Sequence, residues 1–129
     1  MARLIVLDAS FVIAALSVDD ADHDAAVSAL AGASDDELVL AATTRAEILV
    51  GPARVGGKVL TVAREFADGC EIVPVSAAIA DDAAALKAQH RGLGLPDAIA
   101  LVIAETIDAD AVWTFDRRWR DVHRRVAIP

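Results

Sequence analysis

Three acidic residues stand where an apolar, strand-like run meets a helix-like one, and a fourth begins a helix. Asp8 closes LIVL, Glu47 opens the helical stretch behind a second apolar run, Asp97 follows Pro96 at a helix start, and Asp116 closes VWTF. Open parallel sheets bind their ligands beyond the carboxyl ends of the strands, so acids just past a strand end carry chemical weight. Two carboxylates about 5 Å apart repel by roughly 3 kcal/mol at an effective dielectric of about 20, and a cluster of four compounds this. Such a cluster requires a cation. Oxygen donors with no His or Cys at ligand spacing select Mg²⁺, with Mn²⁺ as the alternative, over zinc, and Mg²⁺ sites share their ion with substrate phosphates. The chemistry to expect is metal-dependent phosphodiester hydrolysis.

Each acid also has a purely structural explanation. Thr44-Arg45-Ala46-Glu47 reads as a capping box. Asp97 in a first helical turn is favoured by the macrodipole, and Asp116 could cap the helix of RRWRDVHRR. Asp8 is harder to explain structurally, because a charge that closes an LIVL strand approaches a low-dielectric interior.

The elements that must position these acids alternate along the chain. Residues 3–7, 38–42, 71–75 and 111–115 read as strands, with an edge strand at 126–128. Helices are expected from Ser10, over 22–31 with Asp22 as cap and Gly32 as stop, and over 43–50 up to a break at Gly51-Pro52. Three more are expected over 55–67, over 76–90 capped by Ser76, and over 97–107 behind Pro96. Strands alternating with helices imply a parallel sheet covered on both faces. This topology places Asp8, Glu47 and Asp116 on one edge. It leaves Asp97 unplaced, because its helix follows another helix.

Composition bounds the rest. With 129 residues, 56% hydrophobic and 25% charged, the chain is expected to form one domain over 1–129 and is not disordered. No apolar stretch reaches the roughly 18–20 residues of a membrane span, and Asp8 interrupts what would be the core of a secretion signal. Cys70 is alone, which suits a reducing, cytoplasmic setting, and it reads as a small buried hydrophobe. A P-loop fails at Gly57, which stands where the motif needs lysine. His23, His90 and His123 have no partners at useful spacing and read as surface or structural residues, and Trp113 reads as core. The net charge of −8 argues against nucleic acid on average, yet Arg117, Arg118, Arg120, Arg124 and Arg125 crowd the last thirteen positions. That tail either docks RNA phosphates, with Arg117 and Arg118 best placed, or forms a solvated face.

Taken together, Asp8 in LIVLDAS, Glu47 in TTRAEILVG, Asp97 in LPDAIALVIAE and Asp116 in VWTFDRRW resemble the PIN-domain ribonucleases, and among them the VapC-like toxins of type II toxin–antitoxin (VapBC) pairs. The resemblance runs from the first strand to about residue 120. It implies a three-layer α/β/α sandwich around a short parallel sheet. By resemblance, Asp8, Glu47, Asp97 and Asp116 form the Mg²⁺-binding quartet, with Asp8 and Asp97 as direct ligands, and Ser10 and Thr114 supply the supporting hydroxyls. The implied reaction is hydrolysis of RNA, a transfer or ribosomal RNA, to a 5′-phosphate and a 3′-hydroxyl, with inhibition of translation as the outcome. A VapB-like antitoxin and a homodimer formed through apolar faces at 11–16 and 25–30 are the implied partners. Residues 51–57 are richer in glycine than the family pattern, which leaves the local helix boundaries open. Two other classes remain: a catalytically silent PIN-fold module that binds protein, and a receiver-type domain in which Asp8 accepts a phosphoryl group.

Overall fold

A computed structural model describes residues 2–129. Five strands, β1 (Leu4–Leu7), β2 (Glu37–Ala41), β3 (Glu71–Val73), β4 (Ala111–Trp113) and β5 (Val126–Ala127), form one sheet in the order β3-β2-β1-β4-β5. Every neighbouring pair is parallel, and Val6 lies in register with Val39 on one side and Val112 on the other. β1 is the central strand, so its side chains are buried on both faces, as the unbroken apolar run LIVL requires.

Six helices cover the sheet: α1 (Ala9–Leu16), α2 (His23–Ala31), α3 (Ala42–Val55), α4 (Gly57–Asp68), α5 (Ala77–Gln89) and α6 (Leu95–Thr106). Strand alternation sorts the core. Val6, Val39 and Ala41 pack with α5 and α6, whereas Ile5, Leu7 and Leu40 pack with α1 to α4 around Phe11, Ile48, Ala67 and Trp113. The result is the expected α/β/α sandwich. In α6 seven consecutive residues, from Ala98 to Ala104, are buried, so this helix is apolar on every side.

Several boundaries differ from the sequence expectation. The break expected at Gly51-Pro52 lies at Gly56 instead, because α3 runs through Pro52 and ends only where Gly56 and Gly57 take φ of 75° and 57°. Those left-handed values suit glycine, whereas a proline costs one helical bond without forcing a chain reversal. β3 stops at Val73 because Pro74 has no N–H for the ladder. β4 stops at Trp113, where Thr114 and Phe115 turn their polar atoms to the site described below. Asp22 precedes α2 but makes no side-chain cap, and its carboxylate faces Arg117. Ser76 caps α5 as expected, accepting from the Ile79 N–H at 3.2 Å.

Candidate active site

The site starts at the turn from β1 into α1. Asp8 ends the strand and caps the helix, and its backbone N–H extends the β1–β4 ladder to the Trp113 carbonyl at 3.0 Å. Its side chain, in a residue only 4% exposed, receives three bonds on Oδ2: from Ser10 Oγ at 2.6 Å, from Thr114 Oγ1 at 2.9 Å and from the Ser10 N–H at 3.3 Å. The two hydroxyl oxygens lie 3.1 Å apart. Each also accepts a backbone N–H, Ser10 Oγ that of Phe115 and Thr114 Oγ1 that of Asp116, both at 3.0 Å. The network ties the ends of β1 and β4 together and fixes the plane of one carboxylate. Burial nevertheless raises the Asp8 pKa above its ordinary value, against the pull of these bonds.

Glu47 stands in α3, directly after β2. Its structural explanation does not hold: α3 starts at Ala42 behind Ala41, so Thr44 lies inside the helix and caps nothing. The buried hydroxyls of Thr43 and Thr44 have no partner among the described residues. Glu47 is pushed up to about 7, first by burial and then by the charges of Asp8 and Asp97. Asp97 occupies the first turn of α6 and is pushed up to about 6 by burial and by the charge of Asp8, while the Gly94 N–H draws it down. The helix that directly precedes β4 must run antiparallel to it, and this brings its N-terminus to the carboxyl edge of the sheet. That rule was the signal in the sequence for placing Asp97.

Asp116 differs. It caps the 3-10 turn Arg117–Trp119 and is held by Arg118, Nε to Oδ1 at 2.9 Å and Nη2 to Oδ2 at 2.6 Å, which keeps its carboxyl below the ordinary range. Its charge still reaches Asp97. Asp8, Glu47 and Asp97 thus form a mutually repelling group with Asp116 at its rim. Among the described residues no three His, Cys, Asp or Glu side chains form a ready metal cage. The donors are nevertheless oxygen only and carry excess negative charge, which fits a hard divalent cation. Arg117 turns from the acids to Asp22, at 3.4 Å.

One positioning residue escaped the sequence reading. A Cβ placed on Gly94 would stand 2.9 Å from Asp97 Oδ2, so the missing side chain makes room for the carboxylate. Four residues read as structural have structural surroundings. His23 Nδ1 bonds the Ala14 carbonyl and His123 Nε2 meets Glu105, while Trp113 and Cys70 are buried, the thiol pushed up to about 11 by burial.

The chain shares its fold with solved toxins. VapC20 of Mycobacterium tuberculosis, a sarcin-ricin loop cleaving toxin, superposes with a TM-score of 0.76 at 18% identity, over 87% of this chain and 89% of that one. A chain of a toxin–antitoxin complex from Klebsiella pneumoniae superposes with a TM-score of 0.77 at 21% identity, over 97% of each chain. VapBC2 from Rickettsia felis, bound to a DNA fragment of its promoter, superposes at 0.68 with 14% identity, over 98% and 97%. No curated protein sequence matches the chain. The PIN domain family matches residues 5–125, a span that holds all four acids and every strand of the sheet but the edge strand β5 and the first residue of β1, so the chain belongs to the PIN domain family.

Proposed function

We propose that the protein is an Mg²⁺-dependent endoribonuclease, the toxin of a toxin–antitoxin pair, which stops translation by cutting a transfer or ribosomal RNA. The observation that carries this reading is the convergence of Asp8, Glu47 and Asp97 from three separate elements, where burial and the charge of Asp8 raise Glu47 and Asp97 and the charge of Asp97 raises Glu47 further. Like charges gathered at an edge are costly without a cation, and groups perturbed in this way cluster at functional sites. Asp8 and Asp97 would be direct ligands, with Glu47 and Asp116 behind them. A bound Mg²⁺ or Mn²⁺ supplies a water of lowered pKa and stabilises charge on the leaving oxygen. Ser10 and Thr114 hold Asp8 through Oδ2, which leaves Oδ1 for the ion. Gly94 gives Asp97 room to turn.

The partner is a VapB-like antitoxin, a reading supported by the likeness to VapBC2 of Rickettsia and to the Klebsiella toxin–antitoxin complex. Ile13, Val27, Val55, Val59 and Val62 are each at least 44% exposed, which supports association of this chain, including a homodimer. A cytoplasmic location suits the lone buried Cys70, and no described helix is long and apolar enough to cross a membrane. The receiver-type alternative loses support. Its sheet order is 2-1-3-4-5 rather than β3-β2-β1-β4-β5, and Lys87, held on the Leu93 carbonyl at 2.9 Å, serves a loop.

The test is incubation of the antitoxin-free protein with total, transfer and ribosomal RNA in Mg²⁺ or Mn²⁺, with and without chelator, beside Asp8→Asn and Asp97→Asn. Chelator-sensitive cleavage that both substitutions abolish is the expected result. A folded protein that cuts none of these RNAs under either metal would favour the silent protein-binding module.

A further inference from the structure

With 20 Asp and Glu against 12 Lys and Arg, most of this surface repels RNA. One cavity beside the acidic edge has the opposite character. Between the loop that joins α5 to α6 and the 3-10 turn Arg117–Trp119 lies a hollow of about 300 Å³, lined by His90, Arg91, Leu93, Arg118, Trp119 and Val122 together with the Gly92 backbone. Among the described residues no Asp or Glu lines it. Its floor is firm, since Trp119 is 2% and Leu93 3% exposed. Arg91 forms no ion pair among the described residues, although the protein has acids in excess. An exposed guanidinium on a rigid wall, left without a carboxylate, is available to an outside anion.

The cavity also lies beside the acids. Leu93 on one wall is followed four residues later by Asp97, and Arg118 on the other wall holds Asp116 with two bonds. An RNA strand with one phosphate at the acidic group can leave across this hollow without meeting a carboxylate on its lining. The volume is at the small end of ligand sites and suits one nucleotide unit.

We propose that this cavity is a phosphate-binding subsite for the RNA nucleotide flanking the cleaved bond, with Arg91 and His90 as its donors and Arg118 as the bridge to the acidic rim. The proposal rests on the ribonuclease reading above and adds a positioning site to it. Arg91 acts on affinity and takes no part in bond breaking.

The experiment separates the two readings by measuring binding apart from cleavage. Fluorescence anisotropy of a labelled single-stranded oligoribonucleotide is followed in Mg²⁺ over a salt series, in an Asp8→Asn background that prevents turnover. Arg91→Ala is added to that background, with Arg91→Lys as rescue and Arg64→Ala, on exposed α4, as a control. Arg91→Ala is expected to weaken binding about tenfold and to reduce the slope of log affinity against log salt by about 0.7. Arg91→Lys should recover most of the slope, and Arg64→Ala should change neither quantity. In the cleaving protein, Arg91→Ala should raise KM and leave kcat within about twofold. Unchanged affinity and slope in Arg91→Ala would overturn the subsite even if the protein cuts RNA, and so would absence of any RNA binding. Arg91-dependent binding without cleavage would keep the cavity as an RNA-phosphate site only, and would overturn its role beside a cleaved bond together with the ribonuclease reading.

Discussion

At the residue scale, the candidate site holds three carboxylates, Asp8, Glu47 and Asp97, whose burial raises their pKa values. Glu47 is raised from 4.5 to about 7, which has a definite consequence for stability. The folded protein holds that proton up to about pH 7, whereas the unfolded chain loses it near 4.5, so the folded state binds more protons across this window. Stability of the protein in chelator should therefore fall as pH rises from 5 to 7, and Glu47→Gln should flatten the decline; thermal melts at fixed ionic strength check both. Gly94→Ala tests geometry instead. Its φ of −67° suits alanine, and the atom it would meet is the mobile end of Asp97, so melting should hardly change. Displacement of that carboxylate should still lower cleavage by about 10- to 100-fold, measured as kcat/KM on one RNA.

At the element scale, the ends of helices decide where the acids stand. The α3–α4 junction depends on Gly56 at a φ of 75°, and any side chain there is strained although nothing crowds it. Gly56→Ala should cost about 1 kcal/mol in urea denaturation. The arginine-rich tail, expected to be either an RNA surface or a solvated face, divides by position. Arg125 is structural: its guanidinium bonds Asp108 Oδ1 at 2.8 Å, Glu105 Oε2 at 3.1 Å and the Ala109 carbonyl, which fastens β5 to the end of α6. Arg125→Ala should lower the melting temperature, because it leaves the Ala109 carbonyl without this partner, and should leave kcat within about twofold. Arg118, by contrast, stands at the rim of the acids and the edge of the basic cavity.

At the scale of the whole molecule, an acidic protein with a net charge of −8 presents two neighbouring features of opposite sign on one edge of its sheet. A cation that binds only the folded state adds stability in proportion to the logarithm of its concentration, about 2.7 kcal/mol at a hundredfold excess over Kd. Mg²⁺ should accordingly raise Tm in a concentration-dependent way. The rise should be larger at pH 8 than at pH 5.5 and should be lost in Asp8→Asn, which scanning fluorimetry can follow. The separation of charge also explains how a chain of low pI (about 4.6) could take RNA: local sign, not the average, meets the phosphate.

The residue order alone determined the strand–helix alternation, the parallel sheet, and the position of Asp8 at the end of a buried strand, because these follow from local periodicity and from the handedness of crossovers. It also revealed that Ser76 caps a helix, since that bond spans only three residues. Where α3 ends was not legible, because Pro52 and Gly56 both signal a break and only the packed path of α3 against α4 chose between them. Nor was the pairing of Ser10 and Thr114 on one carboxylate oxygen, residues 104 apart brought together by the β1–β4 ladder. The space that Gly94 leaves and the hollow between Arg91 and Arg118 are likewise products of tertiary structure. Each depends on how two elements distant in the chain lie against each other, and the packing of the whole core sets that distance.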